Sequence, residues 1–215
     1  MAISGGPDIV EDGLVLYLDT ADPNSLPPGQ SIKDLVTGTA FSGANYNTAD
    51  WSNNVTKITI CLWWQKIGNS TQYSTRFVRK DGGTSTSSFV LYHFHNFNGT
   101  TPHMEGLIGW YANRGGNWGT ISSYYNMSLN ETVFMSLQFD VDKGGGQMWA
   151  NDTKIGSRVG GANNLGITNS GPLGLTGLSG DSDTTRIYTF ACYDRELSDE
   201  QILQNYNATK GRYGL

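Results

Sequence analysis

VFMSLQFDVDKGGGQMWANDTKIGSRV, residues 133–159, is the stretch that decides the fold class. Val133, Met135, Leu137, Phe139 and Val141 alternate with Ser136, Gln138 and Asp140, the period of two of a strand with one inward and one outward face. DKGGG (142–146) turns the chain into QMWAN, and Asn151-Asp152 turns it again into TKIGSRV. Turn residues stand where turns are needed, so this is a β-meander. Working outward, KITICLWWQKI (57–67) sets Ile58, Ile60, Leu62 and Trp64 against Thr59, Cys61, Trp63 and Gln65. That strand has one face in a core and the other at least half covered. GLVLYLD (13–19) and RIYTFACY (186–193) read as strands, with shorter ones over 74–80, 88–95 and 104–112. TADPNSLPPGQ (20–30), with its three prolines, reads as an ordered turn region. One helix is predicted, over 199–210: Ser198 and Gln201 form a capping box, and Leu197 and Ile202 a hydrophobic staple. Asp199 and Glu200 suit its positive pole, and Gly211 is placed to close its C-terminus.

Composition agrees. Of 215 residues 28 are Gly, 40 are Ser or Thr and 18 are Asn, while only 15% are charged, which leaves too little Ala, Glu, Lys and Leu for a helix bundle. The 37% of hydrophobic residues argue against disorder. A net charge of −5 gives no footprint for nucleic acid, and no Lys/Arg run or long apolar span points to a membrane. The start, MAISGGPDIVEDG, has neither a basic nor an apolar leader region and is expected to begin a chain made in a cytoplasm. Cys61 and Cys192 read as two buried free thiols in preference to a bridge. The seven N-x-S/T sequons read as by-products of an Asn/Ser/Thr-rich surface.

The two ends carry a family resemblance. GLVLYLDTADPNS (13–25) and ACYDRELSDEQILQNYNATKGRYG (191–214) resemble the opening and closing of a LamG-like jelly roll of the concanavalin A-like lectin/glucanase superfamily, as found in bacteriophage virion proteins. That family opens on GLV-x-x-x-D and closes on Y-[ND]-R-x-L-S-x-E-E-I before an N/Y-rich helix. Asp34-Leu35 is similar to its D-L-S-G-N turn, with LVTGTA replacing the usual Gly/Asn-rich piece. Phe139, Asp140 and the VDKGGGQMWAND hairpin are similar to its Y/F-D hairpin, with Asp152 where Gly is usual. The resemblance implies an all-β fold: a two-sheet antiparallel jelly-roll sandwich with a short C-terminal helix, one domain over 1–215.

The superfamily includes glycosidases, whose retaining members need two carboxylates about 5 Å apart. The five glutamates, Glu11, Glu105, Glu131, Glu196 and Glu200, form no row on one strand face. The pairs Asp140/Asp142 and Asp181/Asp183 sit at turns, where aspartate serves local hydrogen bonding. No enzyme is expected. His93 and His95 share a strand face but lack the nearby carboxylate of a metal site. The resemblance implies a calcium ion, which relatives with this fold often carry. The oxygen-rich candidates for Ca2+ are Asp19, Asp22, Asp181 and Asp183, with Asx turns and surface charge as the other reading. The loop ANRGGNWGTISSYYN (112–126) gathers Asn113, Arg114, Asn117, Trp118, Tyr124 and Tyr125 in a nearly charge-free setting. Such residues serve as protein-interface anchors, as core, or as an aromatic and amide surface for a sugar.

The expectation that follows is a non-enzymatic virion structural protein of a bacteriophage. It would be a capsid-decoration or fibre/tail component, homo-oligomeric and in contact with other virion proteins. The alternative is a carbohydrate-binding, lectin-like module that recognises a host-surface glycan, with a glycoside hydrolase third.

Overall fold

The computed structural model of the protein describes residues 8–22, 24, 34–36, 45–46, 57–68, 74–80, 88–94, 103–109, 118–123, 125, 127–140, 143, 145–159, 173–175 and 185–215. Among them twelve strands follow in chain order: β1 (Leu14–Asp19), β2 (Asn45–Tyr46), β3 (Lys57–Lys66), β4 (Ser74–Lys80), β5 (Ser88–Phe94), β6 (His103–Gly109), β7 (Trp118–Ser123), β8 (Thr132–Asp140), β9 (Gly145–Ala150), β10 (Thr153–Val159), β11 (Leu173–Leu175) and β12 (Thr185–Tyr193). The helix α1 (Asp199–Thr209) follows, then a 3-10 turn over Lys210–Tyr213. The hydrogen-bonded order is β1-β12-β3-β8-β9-β10-β7-β6-β5-β4-β11-β2, with antiparallel pairing throughout. This ribbon folds back on itself. Leu175, near its far end, packs against the cluster built by β1, β3, β8, β9 and β12. The chain is a β-sandwich, as its alternation requires.

The inner core follows the predicted register. Ile60 stands opposite Leu137, Leu62 opposite Met135 and Trp64 opposite Val133, and all six are at most 2% exposed. Val141 and the proline-bearing residues of 20–30 lie outside the described residues. The outward face departs from expectation. Ser136, Gln138 and Asp140 are buried, because α1 and its lead-in cover that side of the sheet. Trp63, Phe134 and Trp149 form a second apolar cluster there with Leu197, Ile202 and Tyr206. Polar side chains in the same layer hold the lead-in's backbone: Gln138 Nε2 donates to the Leu197 carbonyl, and Thr59 Oγ1 donates to that of Arg195. Asn205 ties α1 to the N-terminal segment, accepting Val10 N–H at 2.8 Å and donating to Tyr193 Oη at 3.0 Å.

Local rules fix the ends of these elements. Ser198 Oγ accepts Gln201 N–H while Gln201 Oε1 accepts Ser198 N–H, and Leu197 and Ile202 are buried side by side, so the box and staple form as read. The C-terminus closes differently. Lys210–Tyr213 tighten into a 3-10 turn and Gly214, at φ +76°, takes the left-handed position expected of Gly211. The tighter turn swings Arg212 onto Asp19 and Tyr213 onto Trp63, whose rings stack at 4.4 Å. Gly13, at φ +75°, opens β1 where a Cβ would come within 2.9 Å of the Arg195 side chain. Asp152 needs no glycine at its position, since in that turn Asn151 takes the left-handed backbone, at φ 54°. The edge of β1 is blunted by Asp34, whose buried Oδ1 accepts the N–H groups of Tyr17 and Val36. Cys61 and Cys192 are buried free thiols on neighbouring strands. Cys61 pairs with Ala191 and Cys192 with Ile60, which puts the sulfurs on opposite faces of the sheet.

Candidate functional site

One end of the sandwich gathers polar groups. There β3 finishes at Lys66, β12 begins at Thr185 and β8 begins at Thr132, with Thr185 directly opposite Lys66 and Thr132 opposite Gln65. Gln65 and Lys66 alternate across the sheet. Gln65, on the outer side, accepts from Tyr188 Oη at 2.8 Å and donates to the Asn130 carbonyl at 3.0 Å. Lys66 follows Trp64 on the inner side, where its Nζ donates to the Met127 carbonyl at 3.3 Å. Glu131 beside it accepts Tyr125 Oη at 2.6 Å and Ser128 N–H at 2.7 Å. Burial pushes the Lys66 ammonium below the ordinary lysine range, and Glu131 works against that shift through space. Burial and Glu131 both raise the Tyr125 phenol, which therefore stays protonated as the donor.

The predicted aromatic patch is divided by a strand. WGTISS forms β7, so 112–126 is not one loop. Trp118 begins β7 opposite Gly109, and Tyr125 follows its far end, so about 17 Å of strand separates the two ends. Thr120 and Ile121 are the local signal for that strand. Tyr125 is half-buried, and its ring packs against the inner core while its hydroxyl is held by Glu131. Asn113, Arg114, Asn117 and Tyr124 lie outside the described residues.

Asp19 does not face a loop as an open ligand. It is 1% exposed and receives a two-pronged contact from Arg212, at 2.6 and 2.8 Å, with Ala21 N–H on Oδ1. A cation there would have to displace the guanidinium. Asp22 accepts Asn24 N–H at 2.7 Å, an Asx turn, and Asp181 and Asp183 lie outside the described residues. Among the described residues no three His, Cys, Asp or Glu side chains are grouped to hold a metal. Sequence reasoning missed Lys66 and Thr185 altogether. Neither stands in a local motif, and they meet through the pairing of β12 with β3.

Comparison with known proteins finds no matching family model and no matching curated protein. Solved structures do match. The binding domain of Paraclostridial Mosquitocidal Protein 1 superposes with a TM-score of 0.64 at 14% identity, over 91% of this chain and 52% of that one. The Botulinum Neurotoxin Type G Receptor Binding Domain gives 0.61 at 12% identity, over 91% of this chain and 51% of that one. Trypanosoma rangeli sialidase, in complex with the inhibitor DANA, gives 0.63 at 12% identity, over 98% of this chain and 35% of that one.

The likeness is one of fold. At these identities it establishes a β-sandwich, and the chain spans about half the length of the two binding domains it matches. These neighbours lend no support to a bacteriophage role.

Proposed function

We propose that this chain is a non-catalytic binding module that recognises carbohydrate on a target surface. The observation that carries the reading is the match, along 91% of the chain, to a receptor binding domain and a binding domain. The chemistry of the described carboxylates supports its non-catalytic half. Asp19 is bound by Arg212, Asp34 by backbone N–H groups, Asp140 by Lys57 at 3.2 Å and Glu131 by Tyr125. Each is engaged in holding the fold, where a glycosidase needs a pair free to exchange protons with a sugar. The test is a glycan array probed with labelled protein, run beside a reducing-sugar assay on a polysaccharide panel. Binding of a defined glycan without turnover is expected. No glycan bound, or hydrolysis abolished by a single Asp or Glu change, overturns the reading.

A second reading rests on the low charge density. Only 15% of residues are charged, poor protection for a lone soluble protein, which favours a multi-copy component of a larger assembly such as a phage virion. In that case Trp118→Ala weakens self-association by about 2 kcal/mol as a central anchor. Sedimentation as a monomer at high concentration, with the chain absent from purified particles, removes this reading.

A further inference from the structure

We infer that the inner end of β3 and β12 is a carboxylate-recognition site, built from the Lys66 ammonium and the Thr185 hydroxyl, and that its ligand is an acidic sugar. The sugar part rests on the binding reading above; the carboxylate part rests on the site alone. Lys66 is 8% exposed and Thr185 5% exposed, and they stand directly opposite each other on the inner side of the sheet. Thr185 Oγ1 is buried and has no hydrogen-bond partner. A buried hydroxyl without a partner costs roughly 1–3 kcal/mol, so its persistence asks for an explanation. Beside it Lys66 makes one hydrogen bond, to a neutral carbonyl, and no carboxylate reaches ion-pairing distance of its ammonium among the described residues. Among the described residues Glu131 acts on it through space, with one oxygen held by Tyr125 and the other by Ser128 N–H.

Two adjacent donors thus lack an anionic acceptor. One carboxylate would satisfy both, one oxygen on the ammonium and one on the hydroxyl, with the ligand's charge taking the place of the Met127 carbonyl. A cation is excluded by the ammonium itself. Below the pair, two residues further along each strand, Trp64 and Ile187 supply an apolar wall. An apolar wall with a few convergent polar groups is how small-molecule sites are made. The approach proposed for the ligand is the neighbouring turn, where Ser128, Leu129 and Asn130 are exposed while Met127, which carries the carbonyl, is buried.

The test uses the full chain and pairs of ligands that differ only at the acid: glucuronate against glucose, and a uronic-acid oligosaccharide against its carboxyl-reduced form. The acidic member should bind on the order of tenfold tighter, the scale of one charge-assisted hydrogen bond. Lys66→Met and Thr185→Val should erase that preference while leaving the neutral member's binding unchanged, and Lys66→Arg should keep part of it. Thermal melts confirm folding, which Lys66→Met should preserve because it replaces a buried cation by an apolar side chain of similar length. As a second readout, NMR of the Lys66 side chain in the wild type should shift with glucuronate and not with glucose. Equal binding of acidic and neutral sugars overturns the site and leaves the carbohydrate module standing. A Lys66 shift with glucuronate, but no oligosaccharide bound, supports the site and overturns the module. Acid preference intact in folded Lys66→Met overturns the site outright.

Discussion

Replacing Arg212 by methionine tests how the two ends of the chain are held together. Asp19 ends β1 and is 1% exposed, whereas the Arg212 side chain, nineteen residues past the end of β12, is 33% exposed. The guanidinium meets both carboxylate oxygens, and Tyr17 Oη donates to one of them from 3.4 Å. Removing one partner of a buried pair costs roughly 3–5 kcal/mol, because the other charge is left in a poorly solvated place. The partial exposure of Arg212 lets water and salt recover some of that, so Arg212→Met should cost about 2–3 kcal/mol. For a chain of 215 residues this is a fall in Tm of about 5–10 °C. Adding Asp19→Asn should return more than half the loss, since asparagine keeps an acceptor for Ala21 N–H and buries no charge. Urea denaturation of the wild type, the single variant and the double variant gives all three values. A single variant within about 0.5 kcal/mol of wild type would mean an ordinary screened surface pair. A double variant no more stable than the single one would mean that the carboxylate was never the liability.

Asn205→Ala should cost about 2–3 kcal/mol by stranding Val10 N–H, and hydrogen exchange at Val10 should accelerate ahead of global unfolding. Ser198→Ala removes the N-cap of α1 and should cost about 1 kcal/mol in chemical denaturation. Burial pushes the Cys61 thiol from 9.0 up to about 11, so the protonated form is favoured in the folded state. The resulting stability is complete below pH 9 and is lost as pH climbs through 11, an effect of roughly 2–3 kcal/mol. Cys61→Ala should therefore lose less stability than wild type over that window, and parallel pH profiles for the two proteins would contradict this assignment.

Period-two alternation located β3 and β8, because one face of each must be apolar to build the inner core. The same period misread Ser136, Gln138 and Asp140, since alternation reports chemical type and not what lies above a face. A signal was present. Trp63, Phe134 and Trp149 sit among those polar positions, and a staple-capped amphipathic helix waits at the C-terminus to cover them. The loop reading of 112–126 failed for another reason: Gly115, Gly116 and Gly119 give WGTISS the look of a loop, and its strand identity is settled by pairing with β6 and β10. The Lys66–Thr185 pair was out of reach, because only the register of β12 against β3 brings the two together.

The layered burial also limits where binding can occur. Strands β1, β3, β8, β9 and β12 contribute to apolar clusters on both of their faces, the inner core and the layer under α1. These five strands, covered on both sides, can offer a ligand only their ends and the β1 edge, which Asp34 already occupies. What they leave open is their ends. The buried charged residues there and elsewhere in the described structure are Asp19, Asp34, Lys66 and Asp140. Arg212 answers the first, two backbone N–H groups the second and Lys57 the last. Lys66 is answered by a single uncharged carbonyl, with an unpartnered hydroxyl across the strand pair. Glu131 offsets the burial of this ammonium only through space, with no direct ion pair. Among the described residues the other three buried charges have direct internal partners, and the carboxylate proposed above would supply one for the fourth.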